Sequence, residues 1–88
     1  MKPLNYAILK YMTSVKEACP EDVIDALASQ YSTFRAFNKA DVLTALLTAE
    51  ANGLLEESRF DLDADGELRL FFRAHAEGMD TINRYIPG

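Results

Sequence analysis

The sequence predicts a mainly helical α+β domain: three helices, a two-stranded β-hairpin and a closing helix. Three observations carry this reading. Apolar residues recur at helical spacing through the first half of the chain. Period-two alternation replaces that spacing between residues 54 and 72. Between them lies FNKADVLTALLTAEANGLL, residues 37–55, where a well-marked helix runs through a Gly into Leu-Leu and the first strand.

The first helix begins at Pro3, a residue suited to a first turn because its ring presets φ and its missing N–H is not needed there. Leu4, Ile8, Tyr11 and Met12 line one face, and Tyr6, Leu9 and Thr13 line another, so this helix is either central in the monomer or carries a second contact. Thr13 to Ala18 is expected to be a connector. Cys19-Pro20-Glu21-Asp22 opens the second helix, with Pro in the first turn and acids at the positive end of the helix dipole. Val23, Ile24, Leu27 and Tyr31 form its core face. Residues 32–37, STFRAF, make a long turn in which Phe34 and Phe37 fold back over the helices.

Asn38 caps the third helix by accepting from the backbone N–H of Asp41, with Asp41 reaching back. Val42, Leu46 and Ala49, with Leu43 and Leu47 one position round, give it a wide apolar arc. Gly53 supplies the left-handed residue that ends it, and Leu54 the apolar contact that follows. In the hairpin, Leu54, Phe60, Leu62, Leu68, Leu70 and Phe72 are expected on one face, and Glu57, Arg59, Asp61, Arg69 and Arg73 on the other. Asp65-Gly66 lies in the turn. His75 reads as the cap of the last helix, Met79, Ile82 and Ile86 as its buried stripe, and Pro87-Gly88 as its end.

At 88 residues the chain is expected to be one domain, 1–88, and complete. Apolar residues make up 49% of it, a high share for a body with so much surface, and self-association is a natural outlet. No leader or membrane-spanning run is visible, which points to the cytoplasm. One Cys and one His are too few for an internal disulfide, a zinc site or a nucleophile-base pair. No cofactor or metal site, phosphate loop or other catalytic motif is present, so the chain is not expected to be an enzyme. The net charge is -5, and the whole excess sits on residues 56–67. The basic stripe of a typical nucleic-acid binder is missing.

The element order resembles the winged helix-turn-helix superfamily, particularly the PadR-like and MarR-like bacterial transcription regulators. LLTAEANGLLE, residues 46–56, is similar to that family's passage from recognition helix to wing, and RAHAEGMDTINRY, residues 73–85, to its closing segment; the likeness covers nearly the whole chain. The resemblance implies a dimeric regulator whose third helix enters the major groove of double-stranded DNA while the hairpin touches the flanking backbone. Carried onto this chain, the groove-facing positions are Lys39, Ala40, Asp41, Thr44, Ala45 and Thr48, with Asn38 near a base edge and Arg35 near a phosphate. Only Lys39 among the helix positions is cationic, and the tip carries Asp63, Asp65 and Glu67 where the family commonly has Arg or Lys.

That departure opens a second expectation: a winged helix used for protein interaction, its acidic wing and the Thr/Ala-rich face of its third helix docking a basic or apolar partner. Asp61, Asp63, Asp65 and Gly66 also spell the start of a calcium-binding loop. Phe72, however, stands where the bidentate Glu is required, and the flanks read as strands. For the dimer, the apolar surplus of the first and last helices nominates Tyr6, Leu9, Ile82 and Ile86.

Overall fold

Short-range chemistry fixes the helix ends. In the computed structural model, which describes all 88 residues, the elements are α1 (Leu4–Met12), α2 (Pro20–Tyr31), α3 (Lys39–Ala51), β1 (Glu56–Leu62), β2 (Leu68–Arg73) and α4 (Ala76–Tyr85). The molecule is thus mainly helical α+β, with four helices and one antiparallel hairpin.

Cys19 begins α2: its backbone N–H donates to the Asp22 carboxylate at 3.1 Å, and its thiol lies 3.4 Å from the same oxygen. Asn38 accepts from the Asp41 N–H at 2.9 Å, as expected. Asp41 reaches back to the Asn38 side-chain amide at 2.9 Å, not to its backbone. The end of α3 matches the sequence reading closely. Gly53 has φ +78°, its N–H donates to the Glu50 carbonyl, and the Leu54 N–H donates to the Ala49 carbonyl at 2.9 Å. These two bonds satisfy carbonyls that the helix leaves unpaired. His75 caps α4 by accepting the Gly78 N–H on Nδ1 at 3.1 Å.

The core gathers residues from every element except β1. Ile8 and Met12 come from α1, Val23 from α2, Val42, Leu46 and Ala49 from α3, Phe72 from β2 and Ile82 from α4. No polar or charged residue is buried among them. Tyr31 is also buried, its hydroxyl donating to the Lys2 carbonyl and its ring meeting Phe34 edge-on at 5.0 Å. At Gly78 the backbone of Leu54 presses against α4: a Cβ there would stand 1.9 Å from the Leu54 carbonyl oxygen. Only glycine lets the chain leaving α3 run that close to the closing helix.

Two expectations need correction. The connector 13–18 is not purely a connector, because Ala18 and Phe72 exchange both backbone bonds at 2.9 Å, adding a one-residue bridge on the far side of β2. The hairpin is not regular: its register is broken by a bulge between Glu57 and Arg59. The extra residue reverses the alternation, so Leu55, not Leu54, is the fully buried position, and Glu57 leaves the face of Arg59 and Asp61 to stand opposite Phe72. The apolar face of the hairpin is covered only at its base. Phe72 is 0% exposed, whereas Phe60, Leu62 and Leu68 are 66%, 64% and 60% exposed. No helix is long and apolar enough to cross a membrane.

Candidate interaction surface of the hairpin and the third helix

The two faces of the hairpin differ in kind. On one, charges are matched within the chain. Arg69 donates twice to Asp61, at 2.7 and 2.8 Å, and Arg59 donates to Glu17 at 2.7 Å and lies 3.4 Å from Asp61. At the base Arg73 pairs with Glu56. The Arg59 guanidinium lies 3.8 Å from the centre of the Phe71 ring, a cation-π contact, with Arg69 on the same ring at 5.7 Å. Glu17 also accepts from the Ser58 hydroxyl at 2.9 Å, which holds the bulge against the segment before α2.

The pairing leaves its mark on acidity. The hydrogen bond from Ser58, then that from Arg59, holds the Glu17 carboxyl below its ordinary value. The Arg69 hydrogen bond does the same for Asp61, and in return Glu17 raises Arg59 and Asp61 raises Arg69. Asp63 is lowered by the Glu67 backbone N–H, with Asp65 adding a second such bond. Its Oδ1 takes these at 2.9 and 2.8 Å as it closes the turn. Asp61 and Asp63 therefore direct their oxygens at an arginine and at the turn backbone.

On the other face, Phe60 stands opposite Leu70 and Leu62 opposite Leu68. Leu68 and Leu70 border a cleft of about 310 Å³ whose far wall is Leu43 and Ala40 of α3, with Glu21, Lys39, Glu67 and Arg69 around it. Leu47, one turn after Leu43, is also an exposed leucine. A cleft with Leu43, Ala40, Leu68 and Leu70 in its walls and charged residues around it thus lies between α3 and β2.

Of the positions implied by the DNA-binding resemblance, Ala40, Asp41, Thr44, Ala45 and Thr48 share one arc of α3 with Lys39 to one side, and they border two clefts. Lys39 and Ala40 line the cleft on the hairpin side, with Lys39 Nζ 3.9 Å from Glu21. Asp41, Thr44, Ala45 and Thr48 line a different cleft, of about 400 Å³, against Asn5, Ile8 and Leu9 of α1. Thr44 turns its hydroxyl onto the Ala40 carbonyl at 3.1 Å, and Asn38 is occupied as a cap. Arg35 is exposed in the turn before α3 and pairs with no carboxylate.

The expected dimer residues also divide. Tyr6 is exposed and Leu9 partly buried, but Ile82 and Ile86 are 2% and 5% exposed, held in the monomer core. Those two are corrected to core positions: α4 packs its apolar stripe inward, where α1 meets it and Lys10 donates to Asn83 at 2.6 Å. Cys19 is buried, and burial first of all pushes its thiol pKa up, the reverse of what a nucleophile needs.

Sequence reading missed Glu17, Ser58 and Phe71, whose roles depend on partners more than ten residues away. The exposed leucines could have been found by length. A seven-residue strand is about 23 Å long and a helix only about 10 Å wide, so one crossing helix covers part of a hairpin. No family model matches this chain, and no curated protein matches it in sequence.

Proposed function

We propose that the chain is a winged helix-turn-helix domain that serves as a protein-interaction module, docking an apolar protein surface between α3 and the outer half of its hairpin. The observation that carries this reading is the solvent exposure of Phe60, Leu62 and Leu68 on one face of a hairpin whose three arginines are all held by carboxylates. An exposed apolar patch of this kind marks an interaction site more often than an inert surface. A phosphate contact by Arg59, Arg69 or Arg73 would first have to break an ion pair. A DNA binder draws its affinity from free cations that release counterions, and the hairpin offers none.

The second reading, a dimeric DNA-binding regulator, has one observation in its favour: Arg35 and Lys39, both exposed, flank the N-terminus of α3, where the helix dipole favours phosphate. A salt-dependent gel shift against mixed duplex DNA separates the two. The interaction reading expects no retention even at low salt. It also expects a hydrophobic dye to bind the wild type and to lose that binding in the double variant Phe60→Ser, Leu68→Ser. Retention at low salt, with a salt slope that falls in Lys39→Ala, would replace it with the regulator.

A further inference from the structure

The hairpin has an open edge as well as an open face. The strand β2 has β1 on one side and Ala18 on the other, whereas β1 has β2 alone. Asp63 donates its N–H to the Glu67 carbonyl at 2.9 Å, and this sets the antiparallel alternation along β1. Arg59 and Asp61 turn their backbone groups toward β2. Phe60 and Leu62 turn their N–H and C=O groups away from it, at the strand's outer edge. An unpaired row of this kind is a template for another strand. The bulge at Ser58 disrupts only the inner half, leaving the outer half regular.

We propose that the strand pairing with this edge is β1 of a second copy of the same chain, antiparallel, with Phe60 on the twofold axis. The proposal rests on the reading of the hairpin as a protein-interaction surface and names its partner. Charge decides the register. The backbone alternation allows centres at Arg59, Phe60, Asp61 or Leu62, and a centre at Leu62 sets Asp61 against Asp63. A centre at Arg59 sets Arg59 against its own copy and Glu57 against Asp61, and a centre at Asp61 sets two aspartates face to face. Only the Phe60 centre places Arg59 opposite the second copy's Asp61, twice over by symmetry, as a non-hydrogen-bonded pair with Cα atoms about 4.5 Å apart.

That register also continues both faces of the hairpin. Asp61 faces Arg69 and Phe60 faces Leu70 within one copy. Across the axis, the polar face becomes a row of Arg69, Asp61 and the second copy's Arg59, which already rests on Phe71. The apolar face becomes Leu70, Phe60 and their two symmetry mates. Phe60, among the most exposed apolar residues of the monomer, meets its own copy, and Leu62 stands opposite the second copy's Ser58 with that copy's Phe60 on the diagonal. The one like-charged approach, Glu57 near the second copy's Asp63, falls beyond the ladder. The bulge displaces Glu57, and the Asp63 carboxylate is turned into its own loop.

Sedimentation equilibrium on the full chain and two charge variants tests this. The wild type is expected to be a dimer. Arg59→Glu and Asp61→Arg are each expected to associate roughly tenfold or more weakly, because each sets like charges opposite one another. An equimolar mixture of the two is expected to recover a one-to-one dimer, since the acid introduced at position 59 then meets the base introduced at position 61. Phe60→Lys, which places two ammonium groups at the axis without touching an ion pair, is expected to reproduce the loss if either charge variant fails to fold. A wild type that is monomeric at its highest soluble concentration overturns the proposal, as do single variants that dimerise undiminished or a mixture that stays monomeric. A monomer that also ignores duplex DNA overturns the self-pairing alone, whereas retention of duplex DNA overturns the reading beneath it.

Discussion

Along β2 the base and the tip of the hairpin share one alternating pattern and end in opposite environments. Phe72 at the base is wholly buried among residues of all four helices, while Phe60 on the same face is mostly in solvent. Alternation therefore establishes which side of a strand is apolar and is silent about whether anything covers that side. The contrast extends to charge. The core contains no buried polar group, whereas the hairpin is tied to the segment between α1 and α2 through a chain of ion pairs from Glu17 through Arg59 to Asp61 and Arg69.

Paired truncations break the comparison most forcefully. Phe72→Ala is expected to cost about 3–5 kcal/mol in denaturant unfolding because it opens a cavity in the core. Phe60→Ala, on the same face, should stay within about 0.5 kcal/mol, as for other exposed positions, when measured at a concentration where the chain is monomeric. Equal losses would mean that the outer half is covered after all.

Gly78→Ala comes next. Its methyl group would meet the Leu54 carbonyl oxygen at 1.9 Å, so α4 must shift away from the chain leaving α3, at an expected cost of about 1–3 kcal/mol. Smaller again is Asn38→Ala, which removes the α3 cap and should cost about 1 kcal/mol, read from the thermal midpoint.

The pH dependence sharpens the division between base and tip. Glu17, Asp61 and Asp63 have folded pKa values lowered by their partners. The stability they supply is in place above the ordinary carboxylate range and is lost as pH falls through the lowered values. Acid should therefore raise amide exchange in β1 and the turn before it raises exchange in α1 or α3. Simultaneous loosening of hairpin and helices would contradict the division.

Much of the fold was legible because the signals are local. Asn38 with Asp41, Cys19 with Asp22, His75 with Gly78 and Gly53 with Glu50 each act within three residues, and each does what its residue type suggests. The hairpin and its turn were also visible from period and from Asp-Gly. What was not legible depends on partners far along the chain. The bulge at Ser58 is tied to Glu17, 41 residues earlier, and the Ala18 bridge to Phe72 joins a connector to a strand. Ile82 and Ile86 show the same limit from the other side, since their stripe was recognised but the surface it meets was not. The surface proposed here combines the two cases. Its strand residues read as one apolar face of the hairpin and not as an interaction site, and its exposure follows from how far the strands outrun the helices.

Amide hydrogen exchange at Phe60 and Leu62, followed from dilute to concentrated protein, tests the open outer edge of β1 most directly. The account predicts fast exchange in the dilute monomer and marked protection as concentration rises, while the Phe72 amide, bonded to Ala18, stays protected throughout. Protection of Phe60 and Leu62 in the monomer, or fast exchange at every concentration, would contradict it.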